Sequence, residues 1–230
     1  MTKNIINIGL PSKGRLKHET INIFKKNKLN IYSERGKRDL FGHIKKLDNV
    51  KIIYLHAREC IEQLSLGNID IGFSGYDLLK ESEINIQKKI LISKKYDFGN
   101  ANLVLAIPDL WIDVQTLLDL DEVADEFKKK KKRLLRVATK YPNLTRQFLY
   151  SKGVTQFQLV QSLGSTEVAP FTGTAEIISD ITSTGATLKA NNLRILKDGE
   201  ILKSQACLMI SKKSLNKQNI KSLIKIFSKK

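Results

Sequence analysis

Strand-like and helix-like runs alternate along the whole chain, and this alternation constrains the fold more than any other feature of the sequence. Consecutive parallel strands need a crossover between them, usually a helix, so the pattern predicts α/β structure with largely parallel sheets. Residues 5–10 form a short apolar strand, and Pro11-Ser12-Lys13-Gly14 turns it into a helix reaching roughly Lys26. Strand 50–55, helix 58–66 and strand 69–73 continue the pattern, with Gly67 and Asn68 ending the helix and Ser74-Gly75 opening another short one. Apolar runs at 90–93 and 103–107, separated by the turn 96–100, then suggest a crossover between domains. A second α/β set follows: helix 117–131, strand 134–139, helix 143–152, strands 157–160 and 177–181, and a helix at 187–191. Residues 194–210 read as two strands around a hairpin at Lys197-Asp198-Gly199-Glu200, and a polar, Lys-rich helix begins at Asn216.

Composition narrows the class. With 230 residues, 41% of them hydrophobic, the chain can close one large core or two small ones. Lys, Asp or Asn interrupts each apolar run well short of the roughly 18–20 residues of a membrane span, so no membrane role is expected. The first residues form a strand pattern without the features of an export signal, and Cys60 and Cys207 stand far apart with no metal-ligand spacing. The expected location is the cytoplasm, with no protein-held metal. The net charge of +17 would suit nucleic acid, yet 32 of the 40 basic residues are Lys, whereas bidentate recognition favours Arg. The run 128–133 reads as a solvated helix end, its cations matching the negative pole of the macrodipole. No nucleic-acid partner is expected.

The stretch 176–188 carries the chemistry. An apolar strand ends at Asp180, and a hydroxyl-rich, Gly-containing turn leads into a helix. Unpaired amides at such a helix start suit a phosphate, and the hydroxyls of Ser183, Thr184 and Thr187 can add donors. Gly185 permits close approach or positive φ, and Asp180 can accept hydrogen bonds from a ribose diol. Ordinary capping explains the same residues equally well when they are taken alone. There is no Walker A lysine and no GxGxxG run.

The surrounding sequence, from Gly164-Ser165-Thr166-Glu167-Val168-Ala169-Pro170 to Leu193, resembles the signature of ATP phosphoribosyltransferases, in which E-x-x-P leads into a phosphoribosyl loop and S-T-G-x-T-L. Leu10-Pro11-Ser12-Lys13-Gly14-Arg15-Leu16 is similar to an amino-terminal element of that family. Residues 67–77, 98–108 and 136–146 resemble three further blocks in the family's order. Thr174 and Glu176 depart from the pattern, which leaves the second acid without an assigned role.

The resemblance implies a two-lobed, periplasmic-binding-protein-like (type II) α/β architecture with its site in the interdomain cleft. The domains expected are 1–103, 104–183 ending in the phosphoribosyl loop, and a return to the first domain over 184–230. It implies transfer of the phosphoribosyl group of phosphoribosyl pyrophosphate to an adenine ring nitrogen of ATP, the first step of histidine biosynthesis, with Mg2+ on the leaving pyrophosphate. The sugar phosphate falls to Thr182, Ser183, Thr184, Gly185, Ala186 and Thr187, and the ribose hydroxyls to Asp180 with Glu167 as helper. Lys13 and Arg15 are expected at pyrophosphate or ATP phosphates, with Arg35 and Arg58 as further ATP-site cations. Asp77 either contacts the nucleotide or caps its helix. The absence of a further regulatory domain resembles the short form, so a homodimer assembling with a histidyl-tRNA synthetase-like regulatory subunit is expected. The competing reading is a two-lobed module that binds a solute or effector without catalysis.

Overall fold

The structure is a computed structural model that describes residues 5–33, 40–45, 47–217 and 219–228. The chain divides into two compact units, one running to Gly99 and resuming at Gln205, the other spanning Asn100–Ser204.

In the first unit, β1 (Ile6–Pro11) pairs in parallel with β4 (Val50–Leu55) and β5 (Ile71–Gly75). Strands β2 (Ile31–Tyr32) and β3 (Phe41–Ile44) extend one side, and β6 (Ile90–Lys95) and β12 (Ala206–Ser211) the other. The sheet order among the described residues is β2-β3-β4-β1-β5-β12-β6. Helices α1 (Gly14–Lys26) and α2 (Ala57–Leu66) follow β1 and β4 as the alternation predicts, and α3 (Tyr76–Glu81) and α4 (Ile84–Gln87) follow β5.

Helix α2 lies so close to the sheet that a Cβ on Gly72 would stand 2.6 Å from Cys60 Sγ, a contact only glycine avoids. Burial raises the Cys60 thiol to about 12, in keeping with a core side chain and not a nucleophile. On another part of the core, Phe24, Phe73 and Phe227 pack ring against ring, with centroids 4.7–5.8 Å apart. Phe227 comes from the last helix, α8 (Ile220–Ser228), which buries Ile220 and Leu223 beside it. The expected polar terminal helix is therefore amphipathic and half buried, because its apolar positions recur at helical spacing between the lysines.

In the second unit, β8 (Leu135–Thr139), β9 (Phe157–Gln161) and β10 (Ile177–Thr182) run parallel. Antiparallel strands β7 (Ala101–Pro108) and β11 (Leu193–Ser204) complete the order β11-β7-β10-β8-β9. Helices α5 (Leu117–Lys131), α6 (Pro142–Ser151) and the short α7 (Ala186–Ala190) connect them.

Two expectations are corrected here. Residues 194–210 do not form a hairpin: β11 is one twelve-residue strand whose pairing with β7 shifts register between Ile195 and Glu200, and β12 belongs to the other sheet. The apparent turn is a bulge, and it caps a helix. Asp198 Oδ1 accepts from the Leu117 N–H at 2.9 Å, and the Lys197 N–H donates to the Gln115 carbonyl. In consequence the return to the first unit lies at Gln205, not at residue 184, since pairing with β7 keeps α7 and β11 in the second unit. The outgoing boundary falls at Gly99, four residues before the one expected.

The run 128–133 does form a solvated helix end. Lys128 to Lys131 fill the exposed last turn of α5, and Lys132 closes it in the left-handed conformation (φ 52°). Among the described residues no helix is long and apolar enough to cross a membrane.

Candidate active site

The second unit gathers its chemistry at the carboxyl ends of its three parallel strands, the edge where open α/β sheets bind ligands. Ser179 of β10 is the register partner of Thr139 of β8, and Thr139 that of Gln161 of β9, so β8 and β9 end at one level and β10 runs on beyond it to Thr182. Beneath that edge, the buried hydroxyls of Thr139, Thr145 and Ser179 bond one another at 2.9–3.3 Å, tying α6 to the two strands.

Asp180 is the next residue on β10. Burial raises its carboxyl above the ordinary range, against the lowering effects of the Ile181 N–H, the Lys140 ammonium and the Thr166 hydroxyl, and Glu167 raises it further. The Ile181 N–H donates to Asp180 Oδ1 at 2.8 Å. Glu167 and Thr166 sit on a single helical turn (Thr166–Val168), and Thr166 donates its hydroxyl to Ser162 at 3.0 Å. Asp180 and Glu167 thus stand close together, with the loop after β10 following directly on Asp180. Lys140 and Thr166 also belong to this group, although sequence reasoning assigned neither. Each lies in a recognisable block, but only strand pairing brings residues 140 and 180 side by side.

The loop 182–187 folds on itself. Gly185 is left-handed (φ 74°) and its N–H donates to Thr182 Oγ1 at 2.9 Å, while the Ala186 N–H donates to Thr184 Oγ1 at 3.3 Å. A hydroxyl that accepts a backbone N–H keeps its own hydrogen to donate, so Thr182 and Thr184 are oriented as donors. Two of the amides expected to meet a phosphate are consequently engaged within the loop, by the hydroxyls of Thr182 and Thr184. Ser183, Thr184, Ala186 and Thr187 are exposed, and a Cβ on Gly185 would meet nothing within 4 Å, so glycine serves the φ angle there and not a close contact.

In the first unit, the remaining candidates share the equivalent edge. Pro11 pairs with Leu55, and the Ser12 N–H donates to the Leu55 carbonyl, so the ends of β1 and β4 lie together. Lys13 and Arg15 are exposed at the start of α1, whose first turn holds no acid, and Arg58 is exposed in the first turn of α2. Cations at the positive pole of a helix work against the dipole, a cost that an anion bound there would offset. Asp77 is buried in the first turn of α3, its carboxylate so close to Gly75 that a Cβ there would collide with it. Among the described residues no side chain caps α3 by a hydrogen bond, so Asp77 stands as an acid in the first turn, where its charge suits the helix dipole. Arg35 lies outside the described residues.

Glu176 stands apart from this chemistry. It accepts from Arg136 at 2.7 Å and from Arg133 at 2.9 Å, and the Arg136 N–H donates to it as well at 2.8 Å. Burial pushes its carboxyl up, but the two guanidiniums and the amide win and hold it at about 2. The second acid is structural. Among the described residues no three His, Cys, Asp or Glu side chains form a group able to hold a metal ion.

Residues 56–229 match the family described as HisG: ATP phosphoribosyltransferase. The chain belongs to the ATP phosphoribosyltransferase family. It is 48% identical over 214 residues to an ATP phosphoribosyltransferase of Nitrobacter winogradskyi, covering 93% of this chain and 66% of that protein. Against the ATP phosphoribosyltransferase of Mesorhizobium japonicum it is 43% identical over 91% of each protein. The chain therefore spans just under two thirds of the first of these relatives and nearly all of the second. Among solved structures, the ATP phosphoribosyl transferase (HisG:HisZ) complex from Thermotoga maritima superposes with a TM-score of 0.73 at 25% identity, over 97% of this chain and 96% of that one. A probable amino-acid ABC transporter extracellular-binding protein from Bacillus subtilis gives a TM-score of 0.51 at 14% identity, over 97% of this chain and 89% of that one. That likeness concerns the fold alone, and it marks the chain as two α/β units of the periplasmic-binding-protein-like type II kind.

Proposed function

We propose that the chain transfers the phosphoribosyl group of phosphoribosyl pyrophosphate to an adenine ring nitrogen of ATP, releasing pyrophosphate in the opening step of histidine biosynthesis. The observation that carries this reading is the convergence of Asp180, Glu167 and the hydroxyl loop 182–187 on one strand edge, in a chain of the ATP phosphoribosyltransferase family. A half-buried carboxylate beside a nest of hydroxyl donors suits a ribose diol joined to a phosphate. Asp180, helped by Glu167, accepts from the ribose hydroxyls, and Thr182 to Thr187 donate to the 5-phosphate. Lys13 and Arg15 receive pyrophosphate or ATP phosphates, and Arg35 and Arg58 serve ATP as cations. The binding-module alternative leaves the loop without a task.

The nucleophile belongs to ATP, so the protein supplies position and charge without a covalent catalyst. Mg2+ usually keeps several waters and is bound through one or two carboxylates plus substrate phosphates, so in this reading the ion is carried on the pyrophosphate. Its chemistry there is neutralisation of the charge that develops on the leaving group. The likeness to the Thermotoga maritima HisG:HisZ complex supports assembly with a regulatory subunit of the HisZ kind, and a homodimer working in the cytoplasm belongs to the same reading.

The test is incubation of the purified chain with ATP, phosphoribosyl pyrophosphate and Mg2+, with and without the HisZ-like subunit, while pyrophosphate and phosphoribosyl-ATP are measured. Release that needs both substrates supports the reading. No product under either condition, or a soaked crystal with the sugar phosphate away from Gly185, defeats it.

A further inference from the structure

We propose that Lys140 is a positioning residue of the phosphoribosyl site: standing beside Asp180 across the β8–β10 pairing, it keeps that carboxylate ionised to receive the ribose hydroxyls. Sequence separation hides the relationship, since the two stand forty positions apart. The register exposes it. Ser179 and Thr139 are the last partners of the parallel pairing and point together into the buried hydroxyl cluster, and Asp180 and Lys140 are the residues that follow each of them, so the two leave the pairing at the same place.

The charges around Asp180 explain why such a cation is needed. The carboxylate loses solvent by burial and faces the like charge of Glu167 from the helical turn 166–168, and both favour its neutral form. Against them stand the Ile181 N–H, the Lys140 ammonium and the Thr166 hydroxyl. Across the other pairing, Asp180 meets Val104 of β7, which brings no charge. Among the described residues Lys140 is thus the cation that acts on this carboxylate. A protonated Asp180 would offer one donor and a weakened acceptor to a diol that needs acceptors, so loss of Lys140 should appear as a pH-dependent defect.

This inference rests on the phosphoribosyl reading of Asp180, and two measurements separate the two. The first is independent of turnover: the titration of Asp180 in the full chain, labelled with carboxyl-13C aspartate and assigned with Asp180→Asn, for wild type, Lys140→Met and Lys140→Arg. Lys140→Met should move the midpoint to higher pH and Lys140→Arg should leave it near wild type. The second is the pH profile of kcat/KM for phosphoribosyl pyrophosphate, in the complex in which the chain purifies. Lys140→Met should lose about tenfold on the acid side, mainly through KM, and recover toward wild type as pH rises. A purely structural role would lower the whole profile evenly. An unmoved Asp180 midpoint, or an even loss at all pH values, overturns the proposal. A shifted midpoint in a chain that makes no product would uphold the charge relationship and defeat the catalytic reading instead.

Discussion

The Nζ of Lys217 lies 2.7 Å from the carboxylate of Asp70, which is itself fully buried at the start of β5. Asp70 also accepts from the Asn7 N–H at 2.8 Å and from the Ser214 hydroxyl at 2.5 Å. One acid therefore ties β1 and the segment after β12 to the centre of the first sheet. Chain ends distant in sequence meet at this carboxylate, and its family motif residue serves structure at the amino-terminal end of β5, away from the ligand edge.

Asp70→Ala should cost about 3 kcal/mol, since it strands the Lys217 charge and two donors, and urea unfolding would measure it. Lys217→Met should cost less, about 1 kcal/mol, because Lys217 is partly exposed and the amide and hydroxyl still satisfy the acid. A loss below 0.5 kcal/mol for Asp70→Ala, by the order of magnitude of surface substitutions, would show that the staple contributes nothing.

Glu176 should make the protein sensitive to acid. Its carboxyl is held at about 2, below the ordinary value of 4.5, so its contribution is complete above pH 4.5 and disappears as pH falls toward 2. Glu176→Gln should lose about 2 kcal/mol at pH 7, a figure reduced for the solvent that screens the half-exposed Arg133. The stability gap between variant and wild type should close between pH 4.5 and 2. Equal gaps at pH 7 and pH 3 would contradict this, and KM for phosphoribosyl pyrophosphate should stay within about twofold because Glu176 stands outside the site.

Asp180 has the opposite sign. Its carboxyl lies above the ordinary range, so the folded state disfavours its charge and gives up stability as pH rises through that range. Asp180→Asn should therefore unfold at higher temperature than wild type at pH 7, with the difference gone in acid. The same variant should lose about a hundredfold in kcat/KM for phosphoribosyl pyrophosphate, the scale of a charged group removed from substrate. An active variant with unchanged melting would refute both halves.

Gly185→Ala isolates backbone geometry from space. Nothing would touch the added methyl, but φ of 74° costs an alanine about 1 kcal/mol, so the strain falls on the loop alone. The expected result is a KM for phosphoribosyl pyrophosphate raised about tenfold with KM for ATP nearly unchanged, the loop no longer holding its hydroxyls in register. Equal effects on both substrates would point to general misfolding.

Legibility followed the range of the interactions. The alternation of apolar runs, the Pro/Gly turn at residues 11–14 and the strand–turn–helix around Asp180 are local, so the α/β class, nearly every helix and the hydroxyl-rich loop after β10 could be read directly. The short strands β2 and β3 were invisible, since two to four residues carry too little periodicity and depend on β4 for their pairing. The bulge at Asp198 looked like a hairpin because turn residues serve both, and only the resumption of pairing with the same strand, β7, after the register shift distinguishes them.

Residue order alone determined which side chains could serve phosphate and sugar chemistry and in which kind of layered fold they would lie, because those properties live in spacing and side-chain type. Tertiary structure decided which charges meet: Lys140 with Asp180, Arg136 with Glu176, Lys217 with Asp70. Such pairs depend on strand register and chain return across tens to more than a hundred residues, and no local pattern encodes them. Burial then sets opposite fates for two carboxylates four residues apart, lowering Glu176 between its guanidiniums and raising Asp180 at the strand edge.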